Sequence, residues 1–157
     1  MVNVLNFIKE MFGNFYLSSV ACAWILAQII KIFTGYFQEG GFNLKKFLFG
    51  TGGMPSSHSA TVMSLVVSSA IVNGPGSYQF AASTLLAIIV MSDAMGVRLE
   101  TGKQAQVINK IVIELFSGKG DTTANLKEII GHTPFQVFVG AGLGILVPIV
   151  LKLWVFA

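Results

Sequence analysis

The chain holds two histidines and one arginine, and each histidine stands where a helix should begin. His58 lies in Gly52-Gly53-Met54-Pro55-Ser56-Ser57-His58-Ser59-Ala60. Proline suits the first turn of a helix and serine suits its cap. The free N–H groups and positive dipole end of such a helix form an anion site, and preceding glycines let a ligand approach the backbone. A plain N-cap beside an interfacial histidine explains the same residues. His132 lies in Gly131-His132-Thr133-Pro134-Phe135-Gln136, where Thr133 and Gln136 have capping-box spacing and Pro134 takes the first helical position. That box accounts for Gln136 without any chemistry.

Three other residues join the candidates. Asp93 and Arg98 lie at the predicted end of an apolar span, and a carboxylate at that depth needs either a function or a partner. The two could pair with each other for structural reasons. Lys31 falls near the end of another span, where lysines commonly snorkel to the interface.

The elements that must position these residues are membrane helices. Hydrophobic residues make up 54% of the 157 and charged residues 11%, too apolar a balance for one aqueous core. No charged side chain occurs from Met11 to Ile30, Phe47 to Ser92 or Ile129 to Leu151, and about 20 apolar residues suffice to cross a bilayer. The expected fold is all-α: an integral membrane bundle forming a single domain over 1–157, with about four spanning helices. These run over 15–35, 55–72, 78–97 and from 133 to the C-terminus, with 15–35 read as a retained helix, not a signal peptide. Amphipathic helices are expected at 2–12 and 103–116, the latter with Val107, Ile108, Ile111 and Leu115 on one face. Asn73-Gly74-Pro75-Gly76-Ser77 makes a turn. With four spans, Lys31, both histidines, Asp93 and Arg98 meet at one membrane surface.

Pro55-Ser56-Ser57-His58 and His132-x-x-x-Gln136-Val137-x-x-Gly140 resemble motifs of the type-2 phosphatidic acid phosphatase and vanadium haloperoxidase superfamily. The strings Gly-Gly-Met-Pro-Ser-Ser-His-Ser-Ala, Asp-Ala-Met-Gly-Val-Arg and Gly-His-Thr-Pro are similar to its small, divergent bacterial and plastid branch. The resemblance covers about residues 28 to 144. It implies His132 as the nucleophile, forming a phosphohistidine, and His58 as the acid and base. It implies Lys31, Ser56, Ser57 and Arg98 as holders of phosphate oxygens, with neither metal nor other cofactor. Three positions depart from the superfamily pattern. Lys31 is the remnant of the first motif, and Leu126 and Lys127 stand where a Ser-Arg pair is usual, so Arg98 or Lys127 must serve there. Gln136 stands where an acid orients the nucleophile, and Asp93 or Glu128 would then supply the charge.

The expected function is hydrolysis of a phosphomonoester or pyrophosphate on a membrane lipid. The alternative is a catalytically weak or inactive protein that binds phosphate head groups, as a scaffold or transport component. Expected partners are the bilayer and a phosphorylated lipid, with no nucleic acid; a homo-oligomer suits so thin a bundle. The resemblance implies a bacterial plasma membrane or a plastid membrane. Lys31, Lys45, Lys46, Arg98, Lys103, Lys110, Lys119 and Lys127 share the site side, against Lys9 and Lys152 opposite. The positive-inside rule puts that side in the cytoplasm.

Overall fold

The computed structural model describes residues 3–39, 53–116, 126 and 131–156. Among them all regular structure is helical: α1 (Val4–Gly13), α2 (Phe15–Glu39), α3 (Ser57–Asn73), α4 (Tyr78–Met95), α5 (Val97–Phe116) and α6 (Pro134–Trp154). Asn14 separates α1 from α2, its Oδ1 accepting from the backbone N–H groups of Tyr16 (3.0 Å) and Leu17 (3.2 Å). Val4, Ile8 and Phe12 on α1 are exposed, as an interfacial helix requires.

α2 and α3 run antiparallel. At one end Asn73 Nδ2 donates to the Tyr16 hydroxyl. At the other, Thr34 Oγ1 donates to Met54 O over 2.9 Å and Lys31 Nζ to Ser57 Oγ over 3.2 Å. The turn after α3 needs Gly74, whose φ of 81° is left-handed territory, and Ser77 then caps α4 by accepting from Phe80 N. α3 and α6 lie parallel and close. A Cβ on Gly140 would meet Ser56 O at 2.3 Å, and one on Gly144 would meet Ala60 O at 2.4 Å. Small residues let membrane helices approach to this distance.

α3 is the central helix. Ala60 packs with Ala23 and Ala27 of α2 and Val147 of α6, while Val62 and Val66 pack on Ala87 of α4. The outward faces of α4 and α6, with Leu85, Ile88, Ile89, Leu146 and Val150, remain exposed, as lipid contact demands.

Two elements differ from the sequence reading. Three helical stretches, Phe15–Thr34, Tyr78–Leu115 and Pro134–Trp154, are by length and composition apolar enough to cross a membrane. α3 has 17 residues, about 25 Å of helix against a hydrocarbon core of about 30 Å. Its buried positions include Ser57, Ser59, Ser64, Ser68 and Ser69, because it faces other helices where a span at the rim faces lipid. The amphipathic helix expected at 103–116 begins six residues earlier, at Val97. Only the non-helical backbone of Gly96, φ −101° and ψ −92°, divides it from α4.

Candidate active site

The C-terminal parts of α2 and α4 and the N-termini of α3 and α6 meet at one end of the bundle, and the candidate residues gather there. Ser56 is the α3 cap. Its hydroxyl accepts from Ser59 N (3.3 Å) and Ser59 Oγ (2.9 Å), and the residue is fully buried. The N–H groups of Ser57 and His58 occupy the first turn, where no intrahelical acceptor exists. Together with the helix dipole they form an anion-binding end. Lys31 brings its ammonium to this end through Ser57.

The two histidine-bearing helix ends are bonded to one another. Ser56 N donates to Gln136 O over 3.0 Å. The imidazole rings of His58 and His132 stand 6.2 Å apart between centroids and are tilted by 59°. His58 is exposed, and its ring has no hydrogen-bond partner among the described residues.

His132 is only 3% exposed and is held on two sides. Its backbone N–H donates to Ala94 O at 3.1 Å, and its Nδ1 lies 3.3 Å from Gln136 Oε1. That same oxygen accepts from Thr133 N at 3.1 Å, while Thr133 Oγ1 accepts from Gln136 N at 3.4 Å. The capping box is therefore real. An oxygen already accepting from a backbone N–H can bond Nδ1 only if Nδ1 carries the proton, which leaves the Nε2 lone pair free. Burial pushes the His132 imidazole below its ordinary protonation range. The Gln136 hydrogen bond acts the other way, and the charges of Lys31, His58 and Arg98 add to the lowering. A neutral imidazole with a free Nε2 can act as a nucleophile.

Arg98 and Asp93 form an ion pair, Nε to Oδ2 at 2.5 Å, with side chains 43% and 34% exposed. Among the described residues this bond uses one of the five guanidinium donors. Asp93, Arg98 and Lys31 all act electrostatically on His58. Asp93 makes no hydrogen bond to His132; the group on Nδ1 is Gln136. Lys127 and Glu128 lie outside the described residues.

Several positioning contacts escaped the sequence reading. The Ala94 carbonyl ties α4 to the His132 loop. Gly131 presses on the first turn of α5, where a Cβ would meet Leu99 N at 2.3 Å. Gly140 and Gly144, which bring α3 against α6, did carry a signal: glycines four apart in an uncharged span. The Ala94 and Gly131 contacts carried none.

Residues 12–147 match the divergent PAP2 family. The chain belongs to that family. It is also 39% identical over 153 residues to an uncharacterized membrane protein, YuiD, of Bacillus subtilis (strain 168), covering 90% of this chain and 96% of that one. No solved structure matches. Family membership and the apolar spans make the chain a membrane-integral, phosphatase-related protein, and His58, His132 and Gln136 all fall within the matched segment.

Proposed function

We propose that the protein hydrolyses a phosphomonoester or diphosphate carried on a membrane lipid, through a phosphohistidine. The observation that carries this reading is the geometry of the two imidazoles. One has Nδ1 on the Gln136 oxygen, which leaves the lone pair on Nε2; the other has no hydrogen-bond partner among the described residues, and the ring centroids are 6.2 Å apart. The His132 Nε2 lone pair attacks phosphorus, forming the N–P bond as the bond to the lipid oxygen breaks. His58, carrying a proton at this step, gives it to that oxygen, and the lipid leaves as its alcohol from a monoester or as its monophosphate from a diphosphate. His58 then takes a proton from water as the water oxygen attacks phosphorus and the N–P bond breaks. Lys31, Arg98 and the Ser57 and His58 backbone N–H groups face the charge on the phosphoryl oxygens.

Gln136 favours a second reading. An amide orients the ring but cannot stabilise an imidazolium by charge, and the capping box alone explains its retention. On that reading the protein binds phosphate head groups with little or no turnover. On either reading, the excess of lysines on the site-bearing side of the sequence favours a cytoplasmic site.

Phosphate release by the purified, detergent-solubilised protein from a panel of lipid phosphates tests this, beside His132→Ala and Gln136→Glu. Release by the wild type, with an acid-labile phosphoryl label that His132→Ala abolishes, is the expected result. Release in Gln136→Glu alone would establish the second reading.

A further inference from the structure

A groove runs along α3 between α2 and α4. Both helices pack on α3, yet among the described residues no Cα of α2 lies within 8 Å of one of α4. In the half of this gap away from the histidines lies a cavity of about 520 Å³, lined by Tyr16, Leu65, Ser69, Ala82, Ser83 and Leu86 among others. Tyr16, which lines it, is the residue to which Asn73 donates. Its lining is largely apolar in effect, since Ser83 Oγ donates to its own helix at Phe80 O.

Helical spacing connects this cavity to the candidate site. On α3, Leu65 and Ser69 are seven and eleven residues beyond His58, so all three share one face. On α4, Leu86 and Ala82 are seven and eleven residues before Asp93, and they too share one face. The two helices are antiparallel, so floor and wall both lead from the cavity to the His58 and Asp93 end. At 1.5 Å per residue that course is about 16 Å long. An apolar trough at membrane depth that ends at an anion-binding helix terminus fits one kind of molecule: a phosphate on a long hydrocarbon chain.

We propose that the groove between α2 and α4 holds the hydrocarbon chain of the lipid whose phosphate meets His58 and His132. This rests on the phosphatase reading above for the role of the head group, though not for the seat of the chain. Substrates are then selected by chain length as well as by phosphate, and Ala82 and Leu65 set how deeply the chain lies.

The test uses the full chain in detergent micelles with hexadecyl phosphate carrying a photoactivatable diazirine at its chain terminus. Labelling should concentrate on Tyr78, Ala82 and Leu86 and be chased by unlabelled hexadecyl phosphate but not by hexadecanol. Ala82→Trp should abolish the labelling and raise KM for hexadecyl phosphate by about tenfold or more relative to KM for phenyl phosphate. Ala81→Trp, about 100° around α4 from Ala82 and not lining the cavity, should change neither. Labelling spread over the outward faces of α4 and α6 and unaffected by competitor would overturn the groove. Chased labelling in the groove without release from any phosphate ester would uphold it and overturn the phosphatase reading. Release that is indifferent to Ala82→Trp, with diffuse labelling, would do the reverse.

Discussion

The N-termini of α3 and α6 are joined by one backbone hydrogen bond and each carries a histidine, yet they are built to opposite ends. On α3 the histidine lies inside the helix, one residue past Ser57, and the cap is assembled by Ser56 and Ser59 without it. The residue is exposed, and its ring has no hydrogen-bond partner among the described residues. On α6 the histidine precedes the cap, and the capping side chain itself reaches back to fix the ring. Burial, a backbone bond to Ala94 and the Gln136 oxygen leave His132 one tautomer and one orientation. The contrast separates two chemical tasks. A nucleophile gains from being fixed and neutral, whereas a group that gives and takes protons must meet both leaving group and water.

Substitutions that erase one histidine should give the largest effects. His132→Ala should remove both phosphate release and the phosphoryl label. His58→Ala should lower release by roughly 10²–10⁴, and by less with a phenyl leaving group that needs no proton. Retention of full activity in His58→Ala would collapse the distinction between the two ends.

Next comes the contact holding them together. Gly140→Ala places a Cβ 2.3 Å from Ser56 O, which cannot yield as a flexible side chain would. Overpacking of this kind costs about 1–3 kcal/mol. Thermal unfolding in detergent should show the loss, with activity falling further than stability because the rings move apart.

Changing the group on Nδ1 sharpens the comparison. Gln136→Glu should speed release if transition-state charge at His132 limits the rate, by up to the order of 10⁴ known for acid and amide exchanges in triads. The pH profile adds a sign. Protonation of His132 sets the acid limb, and burial holds it below the ordinary 6.5, so activity should persist into mildly acid solution. A carboxylate at 136 favours the imidazolium and should move that limb to higher pH. An unmoved limb would mean that His132 does not titrate in the rate. The smallest effect belongs to Thr133→Ala, which removes the cap but leaves the Gln136 oxygen on the ring. It should cost about 0.5–2 kcal/mol of stability with little change in the acid limb.

Much of this was legible in the sequence because membrane helices announce themselves locally. Uncharged runs, the Asn73–Ser77 turn and the Thr133–Gln136 spacing are read within a few residues, and convergence of Lys31, His58, Asp93, Arg98 and His132 follows from alternating spans. Contacts between distant segments left weaker traces. The bond from His132 N to Ala94 O uses backbone atoms that every residue has. The reach of α5 back to Val97 depends on the conformation of one glycine. The buried serines of the 17-residue α3 follow from its packing against other helices, which an uncharged run does not reveal.

That composition bears on how the protein is made. A segment entering the bilayer by itself is judged by its own transfer free energy, and α3 is both short and rich in hydroxyls. Several of these, Ser19 on α2 and Ser64 and Ser68 on α3, are buried without a side-chain hydrogen bond among the described residues, and such groups find hydrocarbon costly. α4, by contrast, is strongly apolar and follows after a turn of four residues. The two should therefore leave the translocon as a hairpin, with α3 shielded by α2 and α4 from its first contact with lipid.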